Sequence, residues 1–309
     1  MYNYHIGEYI KRKREEKEIK QDELCYGICD RSTLSRIERG KQEPSYYILK
    51  ALLQRLGISE DRCQILMGPQ EFEISELQRE IVADNVRKDF SSVLKKIRRL
   101  EELSQSAENP ILQQFVLRVR ALAGYEENGE RFAYDYPTQR EMLMQALKLT
   151  HPNIDLSHIS NCLLSVDEIK ILNQYAITYS EIGNRRYAIH IYQQLFDCIN
   201  YNCIDTESIV SILTLLAYNY SRLLGQERRY EEAVEIAELG QNYCVKYNKC
   251  QMLGGLLLNI ACCAHELEDD EKSKNLLRQA YYVNKAMKQE KSCKVVEEYW
   301  KQTFKRELF

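Results

Sequence analysis

A helical repeat occurs three times in the second half of this sequence. Its copies are NQYAITYSEIGNRRYAIHIYQQLF (173–196), YNYSRLLGQERRYEEAVEIAELGQ (218–241) and LNIACCAHELEDDEKSKNLLRQAY (258–281). Each copy has the pattern of a helix, a short polar turn and a second helix, and each has two small residues 12 positions apart: Ala176 and Ala188, Ser221 and Ala233, Ala261 and Ser273. Small residues let paired helices approach closely, so stacked copies predict an α-solenoid.

The period and the small residues resemble the tetratricopeptide repeat. The copies start near positions 173, 218 and 258, so that successive starts are 45 and then 40 positions apart. Both intervals exceed the ~34 residues of the bare motif, so the helices or loops are expected to be longer. Two more degenerate helix pairs are expected at 74–105 and 109–149. The chain holds only 12 Gly and 5 Pro in 309 residues and shows no strand signal, and we therefore predict an all-α fold.

The N-terminal segment 1–66 has a different pattern, of four to five short helices. Amphipathic spacing and helix-stop residues place the first four at about 4–17, at about 20–26, from Asp30 to Gly40 and from Ser45 to Gly57. A tight turn joins the second helix to the third, which is the arrangement of a helix-turn-helix domain. We predict a five-helix domain of this kind at 1–66, a linker at 67–73, and the solenoid as a regulatory and dimerisation domain at 74–309.

The third helix divides its residues between two faces. Leu34 and Ile37 point inward, whereas the outward face carries Arg31, Ser32, Ser35, Arg36 and Arg39. Arginine can donate two hydrogen bonds to a guanine in the major groove, and hydroxyl groups can bind bases or phosphates. Segment 1–66 contains 13 Lys and Arg against 11 Asp and Glu, while 67–309 contains 30 against 35, so a DNA contact would belong to the first segment. Taken singly, each arginine could also be an ordinary exposed charge.

The spacing as a whole resembles the Cro/repressor (xenobiotic-response-element, XRE) helix-turn-helix family. The matching motifs are R-E-E-K late in the first helix, Q-x-E-L in the second, S-x-L-S-R-I-E-R-G in the third, and the later P-S and L-G-I-S. The resemblance implies base contacts from Arg31, Ser32 and Arg36, phosphate contacts from Gln21, Arg39 and Lys41, and a structural ion pair between Arg14 and Glu38. The sequence departs from the family at Cys25, where Ala is usual.

A solenoid of helix pairs presents the first helix of each pair on a concave surface, which commonly holds an extended peptide. Similar places on three of these first helices hold asparagines, and tyrosines are nearby: Asn173, Asn219 and Asn259, with Tyr175, Tyr218 and Tyr220. Side-chain amides can bind the N–H and C=O groups of a peptide backbone. The same residues could instead be surface or packing residues.

Together, the two parts resemble the peptide-responsive regulators of low-GC Gram-positive bacteria, the Rgg/NprR/PlcR/PrgX group, with a layout most like that of PlcR. In that group a short secreted peptide re-enters the cell, binds in the solenoid and changes how the two DNA-binding domains of a dimer lie on DNA. The resemblance of residues 171–184 and 218–233 to peptide-binding helices points to Asn173 and Asn219, and that of LQQF (112–115) adds Gln114.

A dimer is also expected from the small size of a single helix-turn-helix domain. Paired half-sites one turn apart are the usual route to tight binding, so we expect a homodimer on a palindromic operator in double-stranded DNA. The solenoid, or a C-terminal helix at 292–306 with Trp300, would supply the dimer contact. The alternative function is that of a helix-turn-helix repressor whose solenoid binds a protein partner and no small ligand.

Other functions find no support in the motifs. The five His show no metal-ligand spacing, and HExxH, GxSxG and P-loop motifs are absent, so we expect neither an enzyme nor a bound metal or other cofactor. The eleven Cys include no CxxC pair and are expected mostly as free thiols in the core, with a redox switch at Cys262 and Cys263 as the alternative. No apolar run reaches the ~20 residues of a membrane span and no secretory signal is present, which predicts a cytoplasmic protein.

Overall fold

Helices form nearly all the regular structure of the protein. The computed structural model describes residues 6–58, 69–104, 109–201 and 206–305, and within these ranges it has fifteen α-helices and one pair of short β-strands. The all-α fold predicted from the few Gly and Pro residues is therefore confirmed. Contacts group the chain into two compact units: Met1–Asn184 with Gln193–Asp205 (unit 1), and Arg185–Tyr192 with Thr206–Phe309 (unit 2).

The first four helices have the order and spacing expected of a helix-turn-helix domain: α1 (Ile6–Glu16), α2 (Gln21–Cys25), α3 (Arg31–Glu38) and α4 (Tyr46–Arg55). The side chain of Asp30 accepts a hydrogen bond from the Thr33 N–H at the start of α3, as the sequence predicts. Gly40 has a φ of 67° just after α3, a conformation that glycine adopts without strain. The predicted fifth helix would lie after Gly57. Residues 59–68 are outside the described part of the chain, so this helix lies outside it as well.

Along the described parts of the chain, the next eleven helices follow one another as five successive pairs and one final helix. They are α5 (Pro69–Arg87) with α6 (Phe90–Ser104), α7 (Pro110–Ala123) with α8 (Tyr136–Thr150), α9 (Val166–Glu181) with α10 (Arg185–Tyr201), α11 (Thr206–Gln226) with α12 (Tyr230–Lys246), α13 (Leu253–Glu266) with α14 (Asp270–Ala286), and α15 (Glu290–Phe304). The pairs lie close to the predicted positions, but α5 begins at Pro69, so residues 69–73 of the predicted linker are helical. Proline suits the first turn of a helix, where an N–H group has no partner within the helix.

The small residues that define the repeat are buried, as close helix packing requires. None of the six is more than 1% exposed. Within unit 2, Gly240 on α12 shows how near the helices come, because a Cβ atom at this position would lie 2.7 Å from the Cβ of Ala217 on α11. A larger residue at these crossing points would push the helices apart.

The turns of unit 2 recur at equal intervals. Arg228, Asn248, Glu268 and Lys288 each lie just after a helix and have positive φ angles of 61°, 54°, 65° and 55°. These four residues are equally spaced in the sequence. One such step therefore contains one helix and its turn, and two steps contain one helix pair. Two steps equal the interval between the second and third sequence repeats, which start near positions 218 and 258.

A two-stranded hairpin interrupts the helices between α7 and α8. Strands β1 (Tyr125–Glu127) and β2 (Glu130–Phe132) pair antiparallel, and Asn128 and Gly129 form the turn with φ angles of 51° and 82°. The expectation that the chain has no strand was wrong for this segment. Asn-Gly favours the tight hairpin turn, but the strands are exposed and short, so they lack the apolar alternation that predicts a strand.

The last helix closes the apolar face of the final helix pair. Trp300 on α15 is 1% exposed and belongs to a core cluster with Leu257, Leu277 and Val296, and the guanidinium of Arg278 lies 5.1 Å from its ring centre. The proposal that Trp300 contributes a dimer contact was therefore wrong, because this side chain is used inside unit 2. Terminal elements of a solenoid have this closing role.

The hydrophobic core of unit 1 is continuous from the helix-turn-helix segment into the first helix pairs. One cluster joins Leu34 of α3 and Leu52 of α4 to Ile97 of α6 and Val119 of α7. The first four helices thus share their core with the repeats and do not form a separate hydrophobic cluster.

A buried ion pair adds a polar contact between the same elements. Arg55, at the end of α4, lies 3.2 Å from the carboxylate of Glu168 on α9, and both side chains are 1% exposed. The Arg55 guanidinium also donates to the backbone oxygens of Leu24 and Tyr26, which belong to α2 and the turn after it. One arginine therefore binds α2, α4 and α9 together.

Glu168 is satisfied on both of its oxygens. Oε1 accepts from the Thr150 hydroxyl at 2.5 Å, and Oε2 accepts from the Ser165 N–H at 2.6 Å, which completes a capping box at the start of α9. Burial alone would raise the pKa of this carboxyl, but the charge of Arg55 and the hydrogen bonds that Glu168 makes with His151 and Thr150 outweigh burial and hold the pKa well below its usual range.

Substitution of Glu168 tests this contact. Glu168→Gln should lower the free energy of unfolding at neutral pH by about 3–5 kcal/mol, because it leaves the Arg55 charge buried without its partner. Urea denaturation measures the change. The matched Glu141→Gln on the exposed face of α8 should change it by less than about 0.5 kcal/mol.

The same variants make a pH prediction. The folded-state pKa of Glu168 lies below its unfolded value, so its contribution is present above the unfolded pKa of about 4.3 and is lost as the pH falls through the folded pKa. Stability of the wild-type protein should fall more steeply on acidification than that of Glu168→Gln. If the free energies of unfolding of the two proteins fell in parallel on acidification, that result would contradict this assignment.

Candidate functional site

The start of α3 is fixed by one carboxylate. Asp30 accepts hydrogen bonds from the Ser32 hydroxyl (2.5 Å), the Thr33 N–H (2.8 Å) and the Thr33 hydroxyl (2.7 Å). The bonds from Ser32 and Thr33 hold the pKa of Asp30 far below its usual range, so the group is ionised at neutral pH. The first turn of α3, which carries Arg31 and Ser32, therefore has a defined geometry.

The two faces of α3 are divided as the sequence predicts. Leu34 is fully buried and Ile37 is 1% exposed, and both belong to the core of unit 1. The opposite face is exposed and carries Arg31, Ser32 and Arg36, with Ser35 half-buried and with Arg39 exposed just after the helix. A row of hydrogen-bond donors thus stands on a helix that its apolar face fixes to the protein.

Arg36 is held in place by two neighbouring side chains. Its Nε donates to the Gln42 amide oxygen at 2.9 Å and its Nη2 donates to the Thr33 hydroxyl at 3.1 Å. The role of Gln42 does not show in the sequence pattern, because only the folded loop after Gly40 brings this residue back to α3. Both bonds reduce the freedom of the guanidinium before any ligand binds.

The other predicted DNA-contacting arginines are more exposed. Arg31 lies 3.3 Å from the Asp22 carboxylate, but both side chains are about two-thirds exposed, so this ion pair contributes little to stability. Arg39 donates from Nε to the backbone oxygen of Ser35 at 2.9 Å. Lys41 is exposed just beyond α3. All three charges can therefore reach a ligand outside the protein.

Arg14 and Glu38 form a two-bond ion pair beneath α3. Arg14 Nε and Nη2 donate to the two Glu38 oxygens at 2.6 Å and 2.9 Å, and the Glu38 side chain is 2% exposed. The hydrogen bond to Glu38 raises the pKa of Arg14. Gln21, which was predicted to contact phosphate, is half-buried and donates to the same carboxylate at 2.7 Å. These contacts fix α3 to α1 and α2.

The candidate ligand residues of unit 1 lie in the interior. Asn173 and Tyr175 on α9 are 7% and 9% exposed. Gln114 on α7 is 2% exposed, and its amide donates to the Ala146 backbone oxygen at 3.0 Å and the Thr150 hydroxyl at 2.5 Å. Its side chain therefore links α7 to α8, which the LQQF pattern could not reveal.

The candidate residues of unit 2 form one connected group. The Asn259 amide donates to the Tyr218 backbone oxygen and the Ser221 hydroxyl, both at 2.9 Å, and thereby links α13 to α11. The Tyr218 ring lies against Gly255, where a Cβ atom would come within 2.7 Å of the ring. Asn219 is 7% exposed and its side chain is hydrogen-bonded to the Tyr192 hydroxyl, while Tyr220 stacks on the Tyr192 ring at 5.8 Å.

One cluster has the residue types of a catalytic triad but not the geometry. The Ser157 hydroxyl and the Asp155 carboxylate both approach the same ring nitrogen of His158, Nδ1, at 3.1 Å and 2.8 Å. A general base needs one nitrogen for the nucleophile and the other for the orienting acid. Within the described ranges, moreover, no group of three or more His, Cys, Asp or Glu side chains could hold a metal ion.

The described helices also include none that could cross a lipid bilayer, since none combines sufficient length with sufficient apolar character.

A helix-turn-helix segment followed by helix pairs is the architecture on which the comparisons agree. A family model described as "RNPP family C-terminal domain" matches residues 78–304, and one described as "Helix-turn-helix" matches residues 10–62. The first match covers most of the chain, so the protein belongs to the RNPP family. The resemblance to the Rgg/NprR/PlcR/PrgX group is thereby confirmed.

Solved structures share this fold. PlcR of Bacillus thuringiensis in complex with the peptide PapR7 and DNA has a TM-score of 0.62 and 21% identity, covering 94% of this chain and 98% of PlcR. The apo form of the same regulator gives 0.60 and 19%, with coverage of 94% and 97%. Apo ComR of Streptococcus vestibularis gives 0.51 and 14%, with coverage of 97% and 98%. No curated protein matches the sequence significantly.

The ion pair beneath α3 gives a stability prediction. Arg14→Met should reduce the free energy of unfolding by about 3–5 kcal/mol, because it leaves the Glu38 carboxylate buried without a cation. The matched control is Arg12→Met on the same helix, since Arg12 is half-exposed and lies 3.7 Å from Glu16. That variant should lose no more than about 1 kcal/mol. Equal losses in the two variants, measured in urea, would contradict the structural role of Arg14.

Proposed function

We propose that the protein is a sequence-specific DNA-binding transcription regulator whose helical repeats bind a short signalling peptide. The observation that carries this proposal is the exposed face of α3, where Arg31, Ser32 and Arg36 stand on a helix anchored by Leu34 and Ile37. Membership of the RNPP family supports it. PlcR, a structural relative, has been solved with both a peptide and DNA.

The proposed DNA contacts follow from the position of each donor. Arg31, Ser32 and Arg36 would enter the major groove, where a bidentate arginine distinguishes guanine from the other bases. Arg39 and Lys41 lie beyond α3 and would bind phosphates, which adds affinity without sequence preference. Gln21 could bind a phosphate only by giving up its hydrogen bond to Glu38.

The proposed assembly is a homodimer on a palindromic operator. One helix-turn-helix segment buries too little surface for tight specific binding, and two segments on half-sites one turn apart overcome this limit. Residues 1–66 would contact DNA, and residues 74–309 would bind the peptide and form the dimer. We further propose that the protein acts in the cytoplasm and catalyses no reaction.

The proposed peptide contacts come from the first helices of the pairs. Asn173 on α9 and Asn219 on α11 are the main candidates, with Asn259 and Tyr218 beside Asn219. Each of the three asparagines retains 7–9% exposure. Their amides would bind peptide N–H and C=O groups, as side-chain amides do in other peptide complexes. Gln114 is a weaker candidate for this surface, because it is only 2% exposed and its amide links α7 to α8.

The DNA-binding proposal predicts different effects for two kinds of residue. Arg31→Ala and Arg36→Ala should each cost ~1–3 kcal/mol on the cognate site and relax sequence preference, because each removes a base contact. Lys41→Ala should weaken cognate and random DNA about equally and reduce the salt dependence. Titrations of both DNA types at two salt concentrations measure these changes. Equal losses on both DNA types for Arg36→Ala would contradict its base-reading role.

The peptide-binding proposal predicts a loss of response without a loss of DNA binding. Synthetic peptides from the ends of small secreted proteins encoded beside the gene should raise the melting temperature, because a ligand stabilises the state it binds. Asn173→Ala and Asn219→Ala should abolish this shift and retain basal DNA binding.

The control for these variants is Asn275→Ala, at an exposed position on α14. It should respond to the peptide as the wild-type protein does. A normal response in both Asn173→Ala and Asn219→Ala would refute the proposed contacts. Stabilisation by a protein partner alone, and by no peptide, would favour a repressor without a small ligand.

A further inference from the structure

A pocket of about 270 Å³ opens within unit 2. It lies between α11 and α13, and its lining includes Arg222, Asn259, Cys262, Glu266 and Tyr299. Helices α11 and α13 are the first helices of successive pairs, so the pocket is on the face to which the proposed function assigns the peptide. This volume is large enough for a side chain or a chain end of a peptide, but not for a folded partner.

Among the described residues that line this pocket, Arg222 is the one cation. Its side chain is half-buried, and its Nε is a buried nitrogen with no hydrogen-bond partner among the described residues. No ion pair of the described ranges includes Arg222. Burial raises the pKa of the Tyr192 hydroxyl, and the positive charge of Arg222 partly opposes that shift. A carboxylate bound in the pocket would supply the guanidinium with the counter-charge that the described residues do not supply.

Two other polar groups of the lining already have partners. Asn259 donates to the Tyr218 backbone oxygen and the Ser221 hydroxyl. Glu266 accepts from the Tyr230 hydroxyl at 3.0 Å. Because Glu266 is exposed, solvent screens its charge at the edge of the pocket more than it screens Arg222. An anionic ligand would therefore be attracted to Arg222 more strongly than Glu266 repels it.

Cys262, Cys263 and Tyr299 form an uncharged part of the lining. Burial raises the pKa of the Cys262 thiol to about 12 and that of Cys263 to about 11, so both are neutral at physiological pH. Burial also raises the pKa of the Tyr299 hydroxyl. These neutral thiols and the aromatic ring give a polarisable surface beside the one cation of the lining. The low thiolate content also disfavours the redox switch considered for these cysteines.

We propose that this pocket binds a carboxylate of the signalling peptide through Arg222, and that an apolar or aromatic part of the same peptide residue packs against Cys262 and Tyr299. The inference rests on the proposed peptide-binding function and specifies the chemistry that the ligand must have. A peptide can supply this carboxylate from its C-terminus or from an Asp or Glu side chain. An arginine binds either group with two parallel hydrogen bonds.

The test uses three positional-scanning libraries of short synthetic peptides with the full-length protein. One library has free C-termini, the second has amidated C-termini, and the third is amidated and contains no Asp or Glu. The first should raise the melting temperature and the third should not, because it lacks every carboxylate. If the second library also raises the melting temperature, an acidic side chain supplies the carboxylate. If it does not, the C-terminus supplies the carboxylate.

Variants of the pocket complete the test. Arg222→Gln should weaken binding of the stabilising peptides by roughly tenfold to a hundredfold, the value of a charge-assisted hydrogen bond, while the ligand-free melting temperature is unchanged or higher. Arg222→Lys should recover part of the loss, because it keeps the charge without the two-bond geometry. Arg186→Gln, at an exposed residue of unit 2 outside the pocket, should bind as the wild-type protein does.

The possible failures are distinguishable. If the carboxylate-free library stabilises the protein as much as the first library does, or if Arg222→Gln binds normally, the carboxylate inference is overturned and peptide binding stands. If no library stabilises the wild-type protein, the proposed peptide-binding function fails, and the inference fails with it.

Discussion

The contact of Arg55 with Glu168 determines how the helix-turn-helix segment is attached to the repeats. A shared apolar core allows some sliding of one element over another, since the hydrophobic effect has no direction. A buried guanidinium with defined acceptors does not allow such sliding, because any shift leaves a charge in the interior without its partner. In unit 1 this group joins α2, α4 and α9, so the position of α3 follows that of the first helix pairs.

This attachment limits how a signal could act on DNA under the proposed function. A change that moved α3 relative to α8 and α9 would have to break the Arg55 contact and expose part of the common core. A change that moved unit 1 as a rigid body would preserve both the Arg55 contact and the common core. We therefore expect regulation to work through the relative placement of the two recognition helices in a dimer, and α3 to keep its local geometry in every state.

The sequence predicts those features that depend on local spacing. Asp30 as a helix cap, Leu34 and Ile37 as the buried face of α3, and the small residues at helix crossings all follow from helical periodicity. The features it does not predict depend on distant segments coming together. Nothing near Arg55 in the sequence indicates Glu168, which is 113 positions away, and Gln42 gains its role only when the loop after Gly40 folds back. Trp300 and Gln114 were assigned to surfaces because composition does not show which face of a helix another helix will cover.

The equal spacing of the turns in unit 2 restricts how this protein can change over evolutionary time. One residue inserted in a helix rotates everything after it by about 100°, because an α-helix has about 3.6 residues per turn. Such an insertion would move the buried small residues out of the crossing points and displace the side chains that line the pocket. Whole helix pairs can be gained or lost without this rotation. New ligand preferences in this part of the chain should therefore arise by substitution at fixed positions, and length differences among relatives should come in units of a helix pair.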